Sequence, residues 1–417
     1  MEIKRDIYLQ RLIARKHNGL IKVITGIRRC GKSYLLFKLF KKHLLQTGVD
    51  AQHIIDIVLD DPENTSFYTG NTLYNYIKSK ITDHRTYYIL LDEVQYVEKF
   101  ELILNGLLHI ENVDIYVTGS NSKFLSSDIV TEFRGRGDEV HIYPLSFAEY
   151  VSAYEGSETE AWKEYYTYGG LPSILSMQDD EQKSNYLYGQ FQNVYLKDII
   201  ERHRLQHVEE LDELLNILSS DVGSYTNPAK LSQTFKSVKH VDISPITLSK
   251  YLKILQESFL ISQALRYDVK GKRYINTPAK FYFEDAGLRN VRLNFRQNEE
   301  NHLMENIVYN ELRMRGFRVD VGVVEILDKV DTGRYLRKQL EVDFVANLGS
   351  KRYYIQSAFR MPDPAKQQQE ERPLIKINDS FKKIILIGDD IKLRRDDYGI
   401  VTMGIREFLL NPHSLEL

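Results

Sequence analysis

Apolar positions follow two alternating rhythms over the first 150 residues. Short continuous runs, "GLIKVIT" (19–25), "HIIDIVLDD" (53–61), "YYILLDE" (87–93) and "VDIYVTGSN" (113–121), are bounded by polar or glycine residues. Runs of that length, rich in β-branched residues, predict strands buried on both faces. Between them apolar residues recur at helical spacing, as in "KSYLLFKLFKKHLLQ" (32–46), "NTLYNYIKSKIT" (71–82) and "FELILNGLLH" (100–109). Strands alternating with helices predict an α/β fold with a parallel sheet covered on both faces. The alternation ends near "HIYPLSFAEY" (141–150).

The pattern then turns helical to about residue 207, broken by "GGLPS" with Gly169, Gly170 and Pro172. Three helices are predicted next, over 208–224, 227–238 and 244–259. Asn227–Pro228 and Ser244–Pro245 supply the cap and the first-turn proline of the second and third. Two strands (260–269 and 272–276) follow around "KGK". The remainder predicts a long helix (301–316), strands at 318–327, 340–347, 352–359 and 382–390, and a closing helix (405–410).

Composition narrows this only a little. A chain of 417 residues has room for two to four domains at ~150 residues each. The 42% hydrophobic and 27% charged content fits an ordinary globular protein. A net charge of −2 excludes a global basic field, so any nucleic-acid surface must be a local patch. No apolar run approaches the ~20 residues of a membrane helix, and the charged N-terminus has no signal-peptide pattern. Cys30 is the only cysteine, which excludes an internal disulfide and makes the cytoplasm the expected compartment.

Candidate chemistry concentrates in "GIRRCGKSY", Gly26, Ile27, Arg28, Arg29, Cys30, Gly31, Lys32, Ser33 and Tyr34, between a predicted strand and a predicted helix. The spacing G-x-x-x-x-G-K-S suits a phosphate-binding loop. Its glycines let backbone N–H groups turn toward phosphates, and the helix N-terminus adds positive potential. Lys32 would reach the β- and γ-phosphates of ATP, and Ser33 would ligate Mg2+. "YYILLDE" brings Asp92 and Glu93 to a strand end, Asp92 for Mg2+ and Glu93 for the attacking water. A base beside the metal carboxylate points to ATP hydrolysis more than to a kinase. In "VTGSN", Ser120 or Asn121 either contacts the γ-phosphate or makes an ordinary turn. In "FRGRGDEV", Arg134 and Arg136 lie in a glycine-flanked loop. Either is a finger for a neighbouring subunit's phosphate or a solvated loop charge.

"ITGIRRCGKSYLL", "LLDEVQ", "TGSNSKFLSSDI", "YPLSFAEY", "YGGLP" and "YLKDIIERH" together resemble a prokaryotic group of AAA-superfamily ATPases with a C-terminal domain of uncharacterised function. The likeness continues through "KFYFEDAGLRNVRLNFRQ", "ENIVYNELRMRGF" and "EVDFVA". It implies a P-loop ATPase core over 1–150, a helical lid over 151–207, a winged-helix segment over 208–275 and a restriction-endonuclease-like α/β domain over 276–417. It further implies Gly26, Gly31, Lys32 and Ser33 as phosphate residues, Asp92 and Glu93 as the metal and water pair, and Ser120 or Asn121 as sensor. Arg136 is the finger candidate, with a homo-oligomer as the expected assembly, and Gly169, Gly170 and Pro172 shape the lid. Arg5 is read as a helix-surface charge, with an approach to the nucleotide as the alternative.

In a winged helix the third helix enters the major groove. Here it carries Thr247, Lys250 and Lys253 on one stripe, with Lys270, Lys272 and Arg273 at the wing tip. DNA contact and protein docking both remain open for this segment. The nuclease frame needs an acid on a helix, an Asp on one strand, and an acid and a lysine two apart on the next. Glu305 and Asp343 fit the first two places, Gln356 stands at the third, and Ala358 stands where the lysine belongs. Lys351 and Arg352 lie upstream, near the turn. The expectation is a degenerate nuclease fold used for binding, with a relocated lysine or a purely structural domain as alternatives. The whole reads as a Mg2+-dependent ATPase that couples ATP to a nucleic-acid transaction. The alternatives are a slow ATP-gated switch or scaffold for a protein partner, and an ATP-regulated nuclease.

Overall fold

The four apolar runs form neighbouring strands of one parallel sheet in the computed structural model, which describes residues 3–119, 133, 135–205, 208–296, 299–329 and 335–417. The strands are β1 (Ile21–Thr25), β2 (Ile54–Val58), β3 (Tyr87–Asp92), β4 (Val113–Thr118) and β5 (Gly137–His141). Their spatial order is β2–β3–β4–β1–β5, and every pairing is parallel. β1 and β3 are buried along their whole length, as a sheet covered on both faces requires. The core joins Ile21, Val23, Ile89, Leu91 and Val117 to Leu73, Ile77 and Leu104 on flanking helices. β5 was not anticipated from the apolar pattern. It reads "GDEVH", and only Val140 is buried, so an edge strand leaves almost no apolar signature.

Contacts divide the chain into two compact units, residues 1–144 with 257–259, and residues 145–256 with 260–417. The segments expected as lid and winged helix thus fall in the second unit, apart from residues 257–259. That unit holds an eight-stranded mixed sheet in the order β12–β13–β11–β10–β9–β8–β6–β7. Its strands are β6 (Ile261–Asp268), β7 (Arg273–Phe283), β8 (Arg318–Lys329), β9 (Tyr335–Leu348), β10 (Lys351–Ala358), β11 (Lys382–Ile387), β12 (Arg394–Arg395) and β13 (Val401–Gly404). The strands expected as a wing, β6 and β7, are an antiparallel hairpin at one edge of this sheet, with β6 parallel to β8. β7 also runs well past the predicted stretch.

Helices of the second unit that bear on function are α1 (Glu158–Tyr168), α2 (Val208–Ser220), α3 (Pro228–Thr234), α4 (Pro245–Glu257), α5 (Ala286–Arg292) and α6 (Glu300–Met314). Asn306 fixes α6 to β7. Its amide accepts from the Phe283 N–H at 2.8 Å and donates to the Phe283 carbonyl at 2.7 Å. That side chain completes the backbone pairing where the strand ends. No described helix is long and apolar enough to cross a membrane.

Candidate functional site

The loop from Gly26 to Gly31 joins the C-terminal end of β1 to a helix that starts at Lys32. Gly26 and Gly31 take φ of +139° and +100°, and Arg29 takes +64°. A Cβ on Gly26 would lie 2.2 Å from the Ile142 carbonyl oxygen, so only glycine fits. Lys32 is buried, and its Nζ donates to the Gly26 and Ile27 carbonyls at 3.0 and 3.1 Å. Among the described residues these are its only hydrogen-bond partners. A buried ammonium facing only carbonyl dipoles is poised for an anion. The Cys30 side chain is fully buried, so that residue offers the loop its backbone. Arg29 is exposed and Arg28 half-buried. The Tyr34 hydroxyl accepts the Ile3 N–H at 3.0 Å and faces the N-terminal segment.

Asp92 ends β3 and is buried. Burial pushes its pKa up, hydrogen bonds from the Thr118 and Ser33 hydroxyls oppose that, and the charges of Glu93 and Asp60 add to it. Thr118 ties the strand ends together, since its hydroxyl donates to Asp92 and accepts the Glu93 N–H at 2.9 Å. Glu93 sits in the left-handed region at φ +51°, and the Gln95 amide holds its carboxylate. Loop strain of that kind collects at functional sites. The phosphate loop, Ser33, Asp92 and Glu93 therefore lie at one edge of the sheet. The donor set of hydroxyl and carboxylate oxygens fits a hard divalent ion.

Arg5 is not a surface charge. It is 2% exposed, and its guanidinium donates to the Cys30 carbonyl at 2.9 Å and the Tyr143 carbonyl at 2.6 Å. It lies over the Tyr8 ring and 3.7 Å from where a Gly31 Cβ would be, so it braces the phosphate loop from behind. Thr118 and Asp60 were not singled out from the sequence, and Arg5 was read first as a surface charge. Arg136 is exposed, and its carbonyl accepts the Ile21 N–H at 2.8 Å. Ile21 begins β1, so Arg136 stands across the five-residue strand from its own phosphate loop, a span of ~15 Å. Ser120, Asn121 and Arg134 lie outside the described residues.

In the second unit, "YGGLP" is a seat for α5. Asp285 caps α5 by accepting the Leu288 N–H at 3.0 Å and also takes the Gly170 N–H at 2.7 Å. A Cβ on Gly169 would fall 2.2 Å from Asp285, and one on Gly287 2.0 Å from the Tyr168 carbonyl. Both glycines are needed for that close approach. Burial lifts the pKa of Asp285 to about 6, against the pull of backbone N–H groups at Gly170, Leu288 and Gly287.

Glu305 on α6, Asp343 on β9 and Gln356 on β10 are all buried, and the Glu305 charge bears on Asp343. The Ser357 N–H donates to Asp343 at 2.8 Å, and the Gln356 side-chain oxygen accepts the Asp343 N–H at 3.3 Å. Burial and then the Glu305 charge hold the Asp343 pKa well above its ordinary value. Ala358 is buried, and Lys351 is drawn off to Glu416 at 2.6 Å. A lysine does enter the frame, but from β7. Lys280 reaches Glu305 at 2.8 Å and Glu341 at 2.6 Å. Burial disfavours its charge, but Glu305, Asp343 and Glu341 outweigh that and raise its pKa.

On α4 the exposed face carries Ser249, Lys250, Lys253 and Ile246, the last 83% exposed. Thr247 is partly covered, with its N–H donating to the Ser244 hydroxyl at 3.1 Å.

The family described as an AAA domain matches residues 18–151, and a domain of unknown function matches 159–299. An uncharacterised protein of Haemophilus influenzae is 35% identical over 414 residues, covering 98% of either chain. Another, of Methanocaldococcus jannaschii, is 28% identical over 409 residues, 93% of this chain and 86% of its own. Among solved structures, the ORC1 protein of Aeropyrum pernix in complex with DNA is similar over 70% of this chain and 93% of its own, at 12% identity and a TM-score of 0.28.

Proposed function

This chain belongs to the family of its full-length Haemophilus influenzae relative and carries an AAA domain, and from that premise we propose that it is a Mg2+-dependent ATPase acting with nucleic acid. The observation that carries the reading is Lys32, a buried ammonium bonded to loop carbonyls, beside Ser33 whose hydroxyl donates to Asp92. ATP supplies the anion this charge needs. In this reading the backbone N–H groups of Gly26 to Ser33 hold the phosphates, and Lys32 neutralises charge on the β- and γ-phosphoryl oxygens. Ser33 and Asp92 hold Mg2+. Glu93 leaves Gln95, orients a water and accepts its proton as the water oxygen bonds to the γ-phosphorus and ADP departs. Arg136 serves the site of a neighbouring copy in a homo-oligomer.

The nucleic-acid part of the proposal is supported by α4, whose solvent face combines two lysines with a serine and an exposed isoleucine. Lysines suit phosphates, and an apolar side chain can touch a thymine methyl in the major groove. The test is steady-state phosphate release with and without duplex DNA. Glu93→Gln should keep ATP binding and lose at least about 100-fold in turnover. Stimulation by DNA should fall with salt and be lost in Lys250→Glu with Lys253→Glu. Turnover indifferent to DNA at every salt concentration would sink the nucleic-acid coupling and favour an ATP-gated switch for a protein partner.

A further inference from the structure

A metal-dependent nuclease centre holds its divalent ion with oxygen atoms, and a hard cation such as Mg2+ or Mn2+ needs about six of them at 2.0–2.6 Å. The frame in the second unit has the acids but has turned their oxygens elsewhere. Glu305 Oε1 receives Lys280 Nζ at 2.8 Å and the Tyr282 hydroxyl at 2.6 Å. Glu341, two residues before Asp343 and on the same face of β9, receives Lys280 at 2.6 Å and the Tyr225 hydroxyl. Asp343 Oδ2 is engaged by the Ser357 N–H. The Gln356 side-chain oxygen, the atom that could ligate an ion, is committed to the Asp343 N–H. Among the described residues no group of three or more His, Cys, Asp or Glu is arranged to hold a metal ion. Two of the carboxylates, Glu305 and Glu341, converge on the Lys280 nitrogen instead.

We infer that Lys280 is the resident cation of this carboxylate frame. Its ammonium takes the place that a divalent ion takes in a metal-dependent nuclease, so the frame binds no such ion and cuts no phosphodiester. The pairing joins β7, β9 and α6 at one point, which gives the acids a reason to stand there without catalysis. The lysine does not act as a relocated catalytic lysine, because that role needs a metal between the acids and the ammonium fills the gap. It follows that the site is latent: taking the charge away leaves facing carboxylates with no counter-charge, and a divalent ion enters.

The test is Mn2+ binding to the nucleotide-free full-length protein, followed by electron paramagnetic resonance and calorimetry. An Asp92→Asn background removes the first site's carboxylate. The parent protein should show no Mn2+ site that Glu305→Gln or Asp343→Asn abolishes. Lys280→Met should gain one site, tighter by about 10-fold or more than any in the parent, and lose it again on adding Glu305→Gln. Lys280→Arg should stay closed. A Mn2+ site already present in the parent and lost in Asp343→Asn would overturn the inference, as would Mn2+-dependent DNA cleavage lost in the same variant. A folded Lys280→Met that gains no site would also overturn it. If Lys280→Met does not fold, the comparison of the parent with Glu305→Gln still decides.

Discussion

Lys32 and Lys280 are both 4% exposed, yet they mark opposite conditions. Among the described residues Lys32 meets only carbonyl oxygens of its own loop, while Lys280 meets two carboxylates. Taking an ammonium out of water costs several kcal/mol after relaxation. At Lys280 the fold supplies the counter-charge. At Lys32 it supplies dipoles and leaves the counter-charge to a ligand. A buried charge is thus informative through its partners: one balanced by carboxylates closes a site, and one balanced by dipoles keeps a site open for its ligand.

The same substitution at the two lysines separates these conditions most sharply. Lys32→Met should lower nucleotide affinity and turnover by about 100-fold or more and leave urea unfolding of the nucleotide-free protein nearly unchanged. Lys280→Met should do the reverse, costing about 3–5 kcal/mol in urea unfolding of the second unit because it leaves buried acids unpaired. Equal losses of stability at both positions would break the comparison. Asp285 sharpens it further, as a buried carboxylate held by the backbone N–H groups of Gly170, Gly287 and Leu288. Its pKa of about 6 in the fold lies above the ordinary 3.8, so between those values the folded chain keeps a proton that the unfolded chain has lost. Its contribution is therefore most favourable below about pH 4 and weakens by roughly 3 kcal/mol as pH rises to about 6. Asp285→Asn, which can still cap the helix, should flatten that part of the stability profile. A slope unchanged by the substitution would assign the pH dependence to another group.

What the sequence revealed follows the range of the interactions involved. The phosphate loop is written in consecutive residues, because its glycines and Lys32 act through one turn of backbone, and its placement between β1 and a helix follows from the same stretch. Asp92 and Glu93 were legible because a buried strand must end before charges begin. Arg5 was not, since nothing in "KRDIYLQRL" shows that residue 5 meets the carbonyl of Cys30. Lys280 was missed for the same reason. The expected spacing pointed to position 358, whereas the cation comes from a strand more than 60 residues earlier in the chain. "YGGLP" advertised a helix break, but its purpose required Asp285, 115 residues away.

The clasp made by Arg5 changes where the AAA half begins. The recognisable AAA segment starts at residue 18, but the guanidinium that props the Cys30 and Tyr143 carbonyls comes from residue 5, just ahead of the helix Asp6–Ala14. A protein trimmed to the recognisable boundary would retain every residue of the phosphate loop and lose the strut that sets its curvature. The N-terminal segment that carries Arg5 therefore belongs with the phosphate loop, and proteolysis or fusion within it should be felt at that loop before it is felt anywhere else.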